Sequence, residues 1–195
     1  MIVLGIVGKI GSGKTYISNI FNHFGFKTFN ADNCVHRLYK KNIKLNFKIS
    51  KVFKLQLTKG RINTQELINI IIKKKYLIKK LNNIVHPEVK KELLIFLKKN
   101  KKETLVILDI PLLLETNLKK YVNIIVFVDT SKKKISFLVK KKKNFNLKLF
   151  KILTTFHLNE NLKKELSDFI IYNKSHKDNK KQIKKIINKI VLDKE

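Results

Sequence analysis

Short apolar runs alternate along this chain with segments in which apolar residues recur every three or four positions. Residues 2–7 form a continuous apolar run, and 104–109 and 123–130 are similar, so each run predicts a strand buried within a sheet. Helical spacing over 14–24 follows the first run, and Gly25 stands where such a helix ends. Strands that alternate with helices in this way predict an α/β fold with a parallel sheet flanked by helices.

Two shorter strands and a closing helix complete the predicted core. Residues 26–30 and 168–173 predict the strands, and 179–191 has the spacing of an amphipathic helix. Between 33 and 100 the pattern is helical and predicts no strand, so we expect a helical insert beside the sheet. The predicted parts of this insert are helices over 33–57 and 64–83, a turn at 59–63, and a helix that His86-Pro87 opens and that runs to about Leu97.

This organisation fits a single domain of residues 1–195. The predicted core comprises about 1–32, 101–130 and 167–195, and the insert comprises about 33–100. Residues 131–166 are rich in lysine and helical in spacing, and we expect them to form a lid.

The six glycines of the chain are unevenly distributed, since three of them fall between the first predicted strand and helix. Gly8 and Gly13, with Lys14 and Thr15, satisfy the P-loop pattern G-x-x-x-x-G-K-S/T in the strand-to-helix context that supports it. Glycines let backbone N–H groups point at a phosphate, and the helix N-terminus adds its positive dipole. We therefore predict a P-loop NTPase fold, in which Lys14 reaches the β- and γ-phosphates and the Thr15 hydroxyl ligates Mg²⁺. The alternative is a glycine turn followed by Lys-Thr by chance.

Two carboxylates follow predicted strands, at the sheet edge where ligands bind in such folds. Asp32 can accept a proton from an attacking hydroxyl there, which makes it a candidate catalytic base; the alternative is a helix N-cap. Asp109 ends its strand as a Walker B aspartate does and is a candidate Mg²⁺ ligand, or else a turn residue. The lysines of 132–143 either fold over the phosphates or form a solvated surface.

The formal net charge of +30 has two interpretations. It indicates either a nucleic-acid-binding protein, or a composition that uses lysine wherever the fold allows it. Lysines are spread over the whole chain, and Arg37 and Arg61 are its only arginines, whereas phosphate-reading proteins favour the planar fork of arginine. We therefore expect no specific nucleic-acid partner.

Cysteine usage and hydropathy bear on location. Cys34 is the only cysteine, so no disulfide framework exists, and we expect a reducing cytoplasm and a buried, small apolar role for its side chain. The apolar N-terminus lacks the basic region of a signal peptide, and no stretch has the length of a membrane span. We expect no membrane association.

The motifs and their order resemble the dephospho-CoA kinase family over nearly the whole chain. The P-loop followed by "NADN" is similar to that family's glycine loop and DAD motif. "GRIN" with "LNNIVHPEV" looks like its turn and H-P segment. "VILDIPLLLE" resembles its D-x-P-L-L-x-E element, and "LSDFIIYN" resembles its A-D-x-x-I-x-N strand.

This resemblance implies ATP-dependent phosphorylation of the ribose 3′-hydroxyl of dephospho-CoA, the final step of coenzyme A synthesis, with Mg²⁺. It implies that Asp32, which matches the second aspartate of the DAD motif, is the base. His86 lies in the implied acceptor-binding insert, with helix capping or packing as its alternative role. The implied ATP-binding residues are Gly11, Ser12, Gly13, Lys14, Thr15 and Tyr16. Rival activities are those of another P-loop nucleoside or nucleotide kinase, or of a nucleic-acid-binding P-loop NTPase.

The chain departs from the family pattern at several positions. Lys9 stands where the family commonly has glycine, and Asn30 replaces the first aspartate of the DAD motif. Lysines, among them Lys140 and Lys142, stand in the lid where the family has arginines. Lysine supplies charge without the planar fork of arginine, so we expect altered lid and acceptor contacts within the same reaction.

Overall fold

Five parallel strands form the central sheet of the computed structural model, which describes residues 1–141 and 146–192. Numbered along the whole chain, these strands are β1 (Ile2–Gly8), β2 (Lys27–Asn30), β5 (Leu105–Asp109), β6 (Ile124–Asp129) and β7 (Phe169–Tyr172). Their order across the sheet is β2-β5-β1-β6-β7, and every neighbouring pair is parallel. This confirms the α/β fold with a parallel sheet that the apolar runs predict.

β1 lies in the middle of the sheet, and all seven of its residues are buried. Its register pairs Leu4 with Ile107 of β5 and with Ile124 of β6. Because all five strands run in one direction, their carboxyl ends share one edge of the sheet. Gly8 and Asp109 therefore end adjacent strands at this edge.

The sheet belongs to the first of two compact units, the described residues of Met1–Asn30, Lys99–Phe145 and Phe156–Glu195. Apolar residues of two helices pack with the strands in one buried core. These helices are α1 (Lys14–His23), through Ile17, Ile20 and Phe21, and α9 (His176–Leu192), through Ile183, Ile186 and Ile190. The unit also contains α6 (Lys132–Lys140), α8 (Glu160–Glu165) and a short 3-10 helix (Asn117–Tyr121).

The second unit comprises Ala31–Lys98 and Asn146–Thr155. Its helices are α2 (Ala31–Lys41), α3 (Ile43–Phe53), α4 (Thr64–Lys73), α5 (Leu77–Lys99) and α7 (Leu147–Thr154). Asparagine side chains cap three of them: Asn42 accepts from the Leu45 N–H, Asn63 from the N–H groups of Gln65 and Glu66, and Asn146 from the Leu149 N–H. Cys34 is buried on α2 as a free thiol, as expected, and burial raises its pKa.

Four predictions for the insert are wrong. The predicted helix over 64–83 is two helices, since α4 ends at Lys73 and α5 begins at Leu77. The predicted helix over 33–57 is interrupted at Asn42, which caps α3. The predicted turn at 59–63 belongs to a hairpin of β3 (Leu57–Thr58) and β4 (Arg61–Ile62), so the insert is not purely helical. Strands of two residues are too short for apolar alternation to reveal.

The predicted helix start at His86-Pro87 is also wrong, because Pro87 lies inside α5. A proline there removes one intrahelical hydrogen bond, but the buried residues Val85, Val89 and Leu93 keep one apolar face across it. Tertiary packing of this face therefore outweighs the local preference of proline for a first turn. Over the described residues, none of the helices has the length and apolar character needed to cross a bilayer.

Candidate active site

The loop between β1 and α1 has the backbone conformation that its glycines predict. Gly11 and Gly13 have φ angles of 83° and 87°, in the left-handed region that favours glycine. A Cβ atom on Gly11 would lie 2.5 Å from Val139 of α6, and one on Gly13 would lie 2.7 Å from the Asn173 side-chain nitrogen. The neighbouring elements therefore approach the loop so closely that only glycine fits at both positions.

Ser12 lies between these glycines and is fully buried. Its carbonyl oxygen accepts from the Thr130 hydroxyl at 2.7 Å and from Asn173 Nδ2 at 2.8 Å, so residues that follow β6 and β7 brace the loop. Asn173 is itself oriented by Asn179, whose amide donates to it at 2.9 Å. The Ser12 hydroxyl oxygen has no hydrogen-bond partner among the described residues, which suits a loop that receives a ligand.

Lys14 begins α1, and only 9% of its surface is exposed. Its ammonium donates to the carbonyl oxygens of Lys9 at 2.8 Å and of Gly8 at 3.2 Å. The charge is therefore held against the loop itself, at the place where the P-loop pattern predicts that a nucleotide phosphate binds.

Thr15 and Asp109, the two predicted Mg²⁺ ligands, lie in contact. The Thr15 hydroxyl donates to Asp109 Oδ2 at 2.7 Å, and Asn30 Nδ2 donates to the same oxygen at 2.6 Å. Asp109 is only 2% exposed. Asn30, which stands where the DAD motif has its first aspartate, thus helps to orient this carboxylate.

These oxygen atoms fit a magnesium ion. Mg²⁺ is usually held by one or two protein oxygens together with substrate phosphates and waters, rather than by a cage of protein ligands. Thr15 and Asp109 supply a hydroxyl and a carboxylate beside the phosphate loop. Within residues 1–141 and 146–192, no group of three or more His, Cys, Asp or Glu side chains forms an all-protein metal site.

Tyr16 follows Thr15 on α1, and its hydroxyl lies 2.6 Å from His176 Nδ1 at the start of α9. Both side chains are exposed. The two rings lie 6.0 Å apart and are tilted by 51°. Tyr16 is predictable from its place directly after the P-loop pattern, whereas nothing local to His176 relates it to the P-loop.

Asp32 and His86 belong to the second unit. Asp32 is exposed in the first turn of α2, where the helix dipole favours a negative charge, but α2 begins one residue earlier. His86 lies on α5 and is accessible to solvent, although neighbouring protein atoms partly desolvate it and lower its pKa. Their catalytic and acceptor-binding roles remain predictions.

The dephospho-CoA kinase family model matches residues 2–179 of this chain. The chain belongs to the dephospho-CoA kinase family. A dephospho-CoA kinase of Wolbachia pipientis wMel is 32% identical over 171 residues, which cover 87% of each sequence. This confirms the resemblance that the sequence motifs indicate.

Solved structures agree with this assignment to the dephospho-CoA kinase family. The dephospho-CoA kinase from Campylobacter jejuni is 25% identical and has a TM-score of 0.68, with 96% of each chain covered. A Thermus thermophilus protein has a TM-score of 0.79 at 21% identity, with 95% of each chain covered, and it supports the fold alone. Together they confirm a P-loop kinase fold.

Lys140 and Lys142 are the lysines predicted for the lid. Lys140 is the last residue of α6 and is exposed, whereas Lys142 lies outside the described residues. A more buried cation of the predicted lid segment is Lys163 of α8, which is 3% exposed and pairs with Glu115. Lys163 was not predicted as a site residue, because nothing in the sequence distinguishes it from the other lysines.

Two further polar residues have no role predicted from the sequence. Glu115 and Asn173 end the quoted elements "VILDIPLLLE" and "LSDFIIYN", so their motifs were recognised without a role for the terminal residue. Asn173 contacts the P-loop directly, and Glu115 binds Lys163. The position of each polar residue at the end of its motif could have indicated a role in the site.

Proposed function

We propose that this kinase transfers the γ-phosphoryl group of ATP to the ribose 3′-hydroxyl of dephospho-CoA, with Lys14, Thr15, Asp109 and Asp32 as its principal groups. Membership of its family makes the chain a phosphotransferase with an alcohol acceptor, which acts in the final step of coenzyme A biosynthesis. The contact between Thr15 and Asp109 beside the P-loop is the observation that carries the assignment of roles.

Phosphoryl transfer needs positioning and charge stabilisation rather than covalent chemistry by the protein. The loop backbone binds the phosphates, and the Lys14 ammonium neutralises charge on the β- and γ-groups. Thr15 and Asp109 would hold a magnesium ion, which when bound neutralises charge on the phosphate oxygens. The protein groups thereby orient the γ-phosphorus for in-line attack.

On the acceptor side, the Asp32 carboxylate takes the proton of the 3′-hydroxyl while the 3′-oxygen of the acceptor bonds to the γ-phosphorus. The bond from that phosphorus to the bridging oxygen breaks at the same time, and ADP leaves. His86 binds the acceptor as a neutral imidazole in the second unit, because desolvation lowers its pKa. Lys140 and Lys142 supply lid charge during transfer.

The remaining assignments concern location and partners. The single cysteine, buried and free, suits a reducing cytoplasm. ATP and dephospho-CoA are the partners we propose. We propose no specific nucleic-acid partner, despite the net charge of +30.

A coupled assay of ADP formation, with and without dephospho-CoA, tests the proposed function. We expect ADP to form at the same rate as coenzyme A and only when dephospho-CoA is present. Activity with nucleosides or nucleotides but not with dephospho-CoA would instead identify another small-molecule kinase. ATP hydrolysis that RNA or DNA stimulates, with a steep dependence on salt, would identify a nucleic-acid-dependent NTPase.

Asp109→Asn tests the magnesium assignment. We expect at least a tenfold rise in the Mg²⁺ concentration for half-maximal activity, because the variant lacks the carboxylate charge that faces Thr15. Asp129→Asn is the matched control, since Asp129 ends the strand on the other side of β1 but pairs with Lys164 at 2.9 Å. Equal Mg²⁺ dependence in the two variants would remove Asp109 from the metal site.

A further inference from the structure

Three side chains outside the proposed mechanism form a mostly buried polar cluster. Lys163 Nζ lies 2.7 Å from Glu115 Oε1 and 3.0 Å from His157 Nδ1. The side chains of His157 and Glu115 are only 12% and 10% exposed. The Leu158 N–H also donates to Glu115 Oε1, at 2.9 Å. Glu115 therefore connects the loop after β5 with both α8 and the segment before it.

The arrangement around Nδ1 determines the tautomer of His157. Lys163 pairs with a carboxylate and offers only N–H donors, so Nδ1 accepts a hydrogen bond from it. Glu115 Oε1 is 3.6 Å from Nδ1, which is too far for a hydrogen bond between them. A neutral imidazole that accepts at Nδ1 carries its proton on Nε2. His157 thus has an Nε2–H donor that has no hydrogen-bond partner in the described part of the chain.

Burial lowers the pKa of His157 to about 4, and the nearby charges of Lys163 and Lys14 act in the same direction. Glu115 acts in the opposite direction and is outweighed, because its Oε1 is already bound by Lys163 and by the Leu158 N–H. The ring is therefore neutral at physiological pH. Because the Lys14 charge lowers the pKa of His157, the P-loop ammonium and the imidazole lie close enough to interact electrostatically.

A second contact places the same segment beside the phosphate loop. Glu160, three residues after His157, forms an ion pair with Lys9 of the P-loop. The Lys9 carbonyl oxygen in turn accepts from Lys14, and α8 packs against β1. Residues 157–160 therefore border the loop that binds phosphate.

We propose that His157 Nε2–H donates a hydrogen bond to a phosphate oxygen of the bound nucleotide, and that Glu115 and Lys163 are positioning residues that hold this tautomer. The inference rests on the proposed function for the identity of the ligand as a nucleoside triphosphate. A neutral donor adds a directional contact to phosphate without placing a further positive charge beside Lys14.

Two substitutions of His157 distinguish the contribution of the Nε2–H donor from that of side-chain packing. Glutamine keeps both functions, since its oxygen can accept from Lys163 and its nitrogen can donate, whereas leucine keeps only bulk. We expect His157→Leu to lower kcat/KM for ATP roughly ten- to hundredfold, and His157→Gln to stay within about threefold of wild type. A His157→Leu variant that folds and keeps the wild-type kcat/KM would overturn the proposal.

Lys163→Met should reproduce part of the loss, because it removes the donor that fixes the tautomer. Lys164→Met is the matched control on the same helix, since Lys164 is partly exposed and pairs with Asp129 rather than with Glu115; we expect no more than a twofold change. A loss of equal size in both variants would assign the effect to α8 as a whole and contradict the proposal.

A double variant distinguishes positioning from mere structural support. Glu115→Gln and Lys163→Met each leave one buried charge without its partner, so each should lower Tm, and the combined variant should recover part of that loss. The proposal expects kcat/KM for ATP to remain low in the double variant, since nothing there fixes the Nε2–H tautomer. If kcat/KM for ATP recovered together with Tm, the Glu115–Lys163 pair would instead have a purely structural role.

The pH dependence of Tm tests the buried neutral state of His157. The folded pKa of about 4 lies below the ordinary value of 6.5, so the unfolded chain binds more protons between these values. The contribution of His157 to stability is therefore complete above pH 6.5 and is lost as pH falls toward 4. We expect the Tm of wild type to fall relative to that of His157→Gln over this interval, and a constant difference would contradict the assignment.

Nitrogen NMR of protein labelled with ¹⁵N-histidine gives a readout independent of turnover. The resonances of His157, assigned among the five histidines by comparison with His157→Gln, should show the Nε2–H tautomer. We expect ATP to shift the Nε2 signal and adenosine to leave it unmoved. No shift with saturating ATP would overturn the inference. A shift with ATP in a protein that makes no coenzyme A would support the inference while refuting the proposed function.

Discussion

Lys14→Ala is expected to abolish measurable phosphoryl transfer to dephospho-CoA, with any residual rate at least about 10²–10³-fold below wild type. The Lys14 ammonium is held against the carbonyls of Lys9 and Gly8, and it is the cation that we propose for the β- and γ-phosphates. Backbone N–H groups and the dipole of α1 remain in the variant, so weak nucleotide binding should persist while the stabilisation of developing charge is lost.

The measurement is a single-turnover assay of coenzyme A formation at saturating ATP, together with Tm. Lys185→Ala is the matched control, since Lys185 is an exposed lysine of α9 and carries the same change in charge. We expect wild-type kinetics for the control and a folded but inactive Lys14→Ala. Near-wild-type turnover in a folded Lys14→Ala would contradict the P-loop assignment.

The sheet and its P-loop are predictable from sequence because their signals are local. A continuous apolar run such as Ile2–Gly8 is compatible with few structures other than a strand buried on both faces. Gly13 precedes Lys14 and Thr15 because the left-handed backbone there favours glycine over residues that carry a Cβ atom. Each of these constraints is satisfied within a few residues, so the sequence alone reveals it.

The boundaries in the second unit depend on packing, which the local pattern does not contain. Pro87 remains inside α5 because Val85 and Leu93 are buried on either side of it. The hairpin of β3 and β4 turns at Lys59 and Gly60, both with positive φ, and its strands are two residues long. Glycine indicated the turn, but pairing of so few residues is decided by tertiary structure.

The residues of the candidate site likewise include some that the sequence predicts and some that depend on tertiary contacts. Thr15 and Asp109 were predictable because each belongs to a motif that ends or follows a strand, and parallel strands bring those ends together. Lys163 was not predictable, because its burial depends on a contact with Glu115 from a distant part of the chain, and lysine is common throughout the sequence. The same holds for His157, whose tautomer is fixed only by the three-dimensional arrangement.

Asp32→Asn is expected to lower dephospho-CoA phosphorylation roughly a hundredfold or more, while ATP affinity stays within about threefold of wild type. Asp32 lies exposed in the first turn of α2, so the amide removes a charge without leaving a buried cavity. The lost interaction with the helix dipole costs only about 0.3–1 kcal/mol, so the variant should fold.

Glu66 offers the matched control for that dipole effect, since it is the acidic residue in the first turn of α4. Glu66→Gln makes the same change of charge at a helix start without a proposed part in the reaction. We expect a similar small change in Tm and unchanged turnover. If Glu66→Gln lost as much turnover as Asp32→Asn, the loss in Asp32→Asn would be attributed to helix stability rather than to catalysis.

The size of the loss in Asp32→Asn distinguishes two roles for the carboxylate. General-base catalysis typically contributes 10²–10⁴-fold, and an amide cannot accept the proton of the 3′-hydroxyl as a carboxylate does. A loose transition state for phosphoryl transfer requires little proton removal at an early stage, so a carboxylate that only orients the hydroxyl would be partly replaced by the amide oxygen. Turnover and ATP binding measured on one preparation decide between them: a loss below tenfold indicates positioning, and unchanged turnover leaves Asp32 with a structural role at the start of α2.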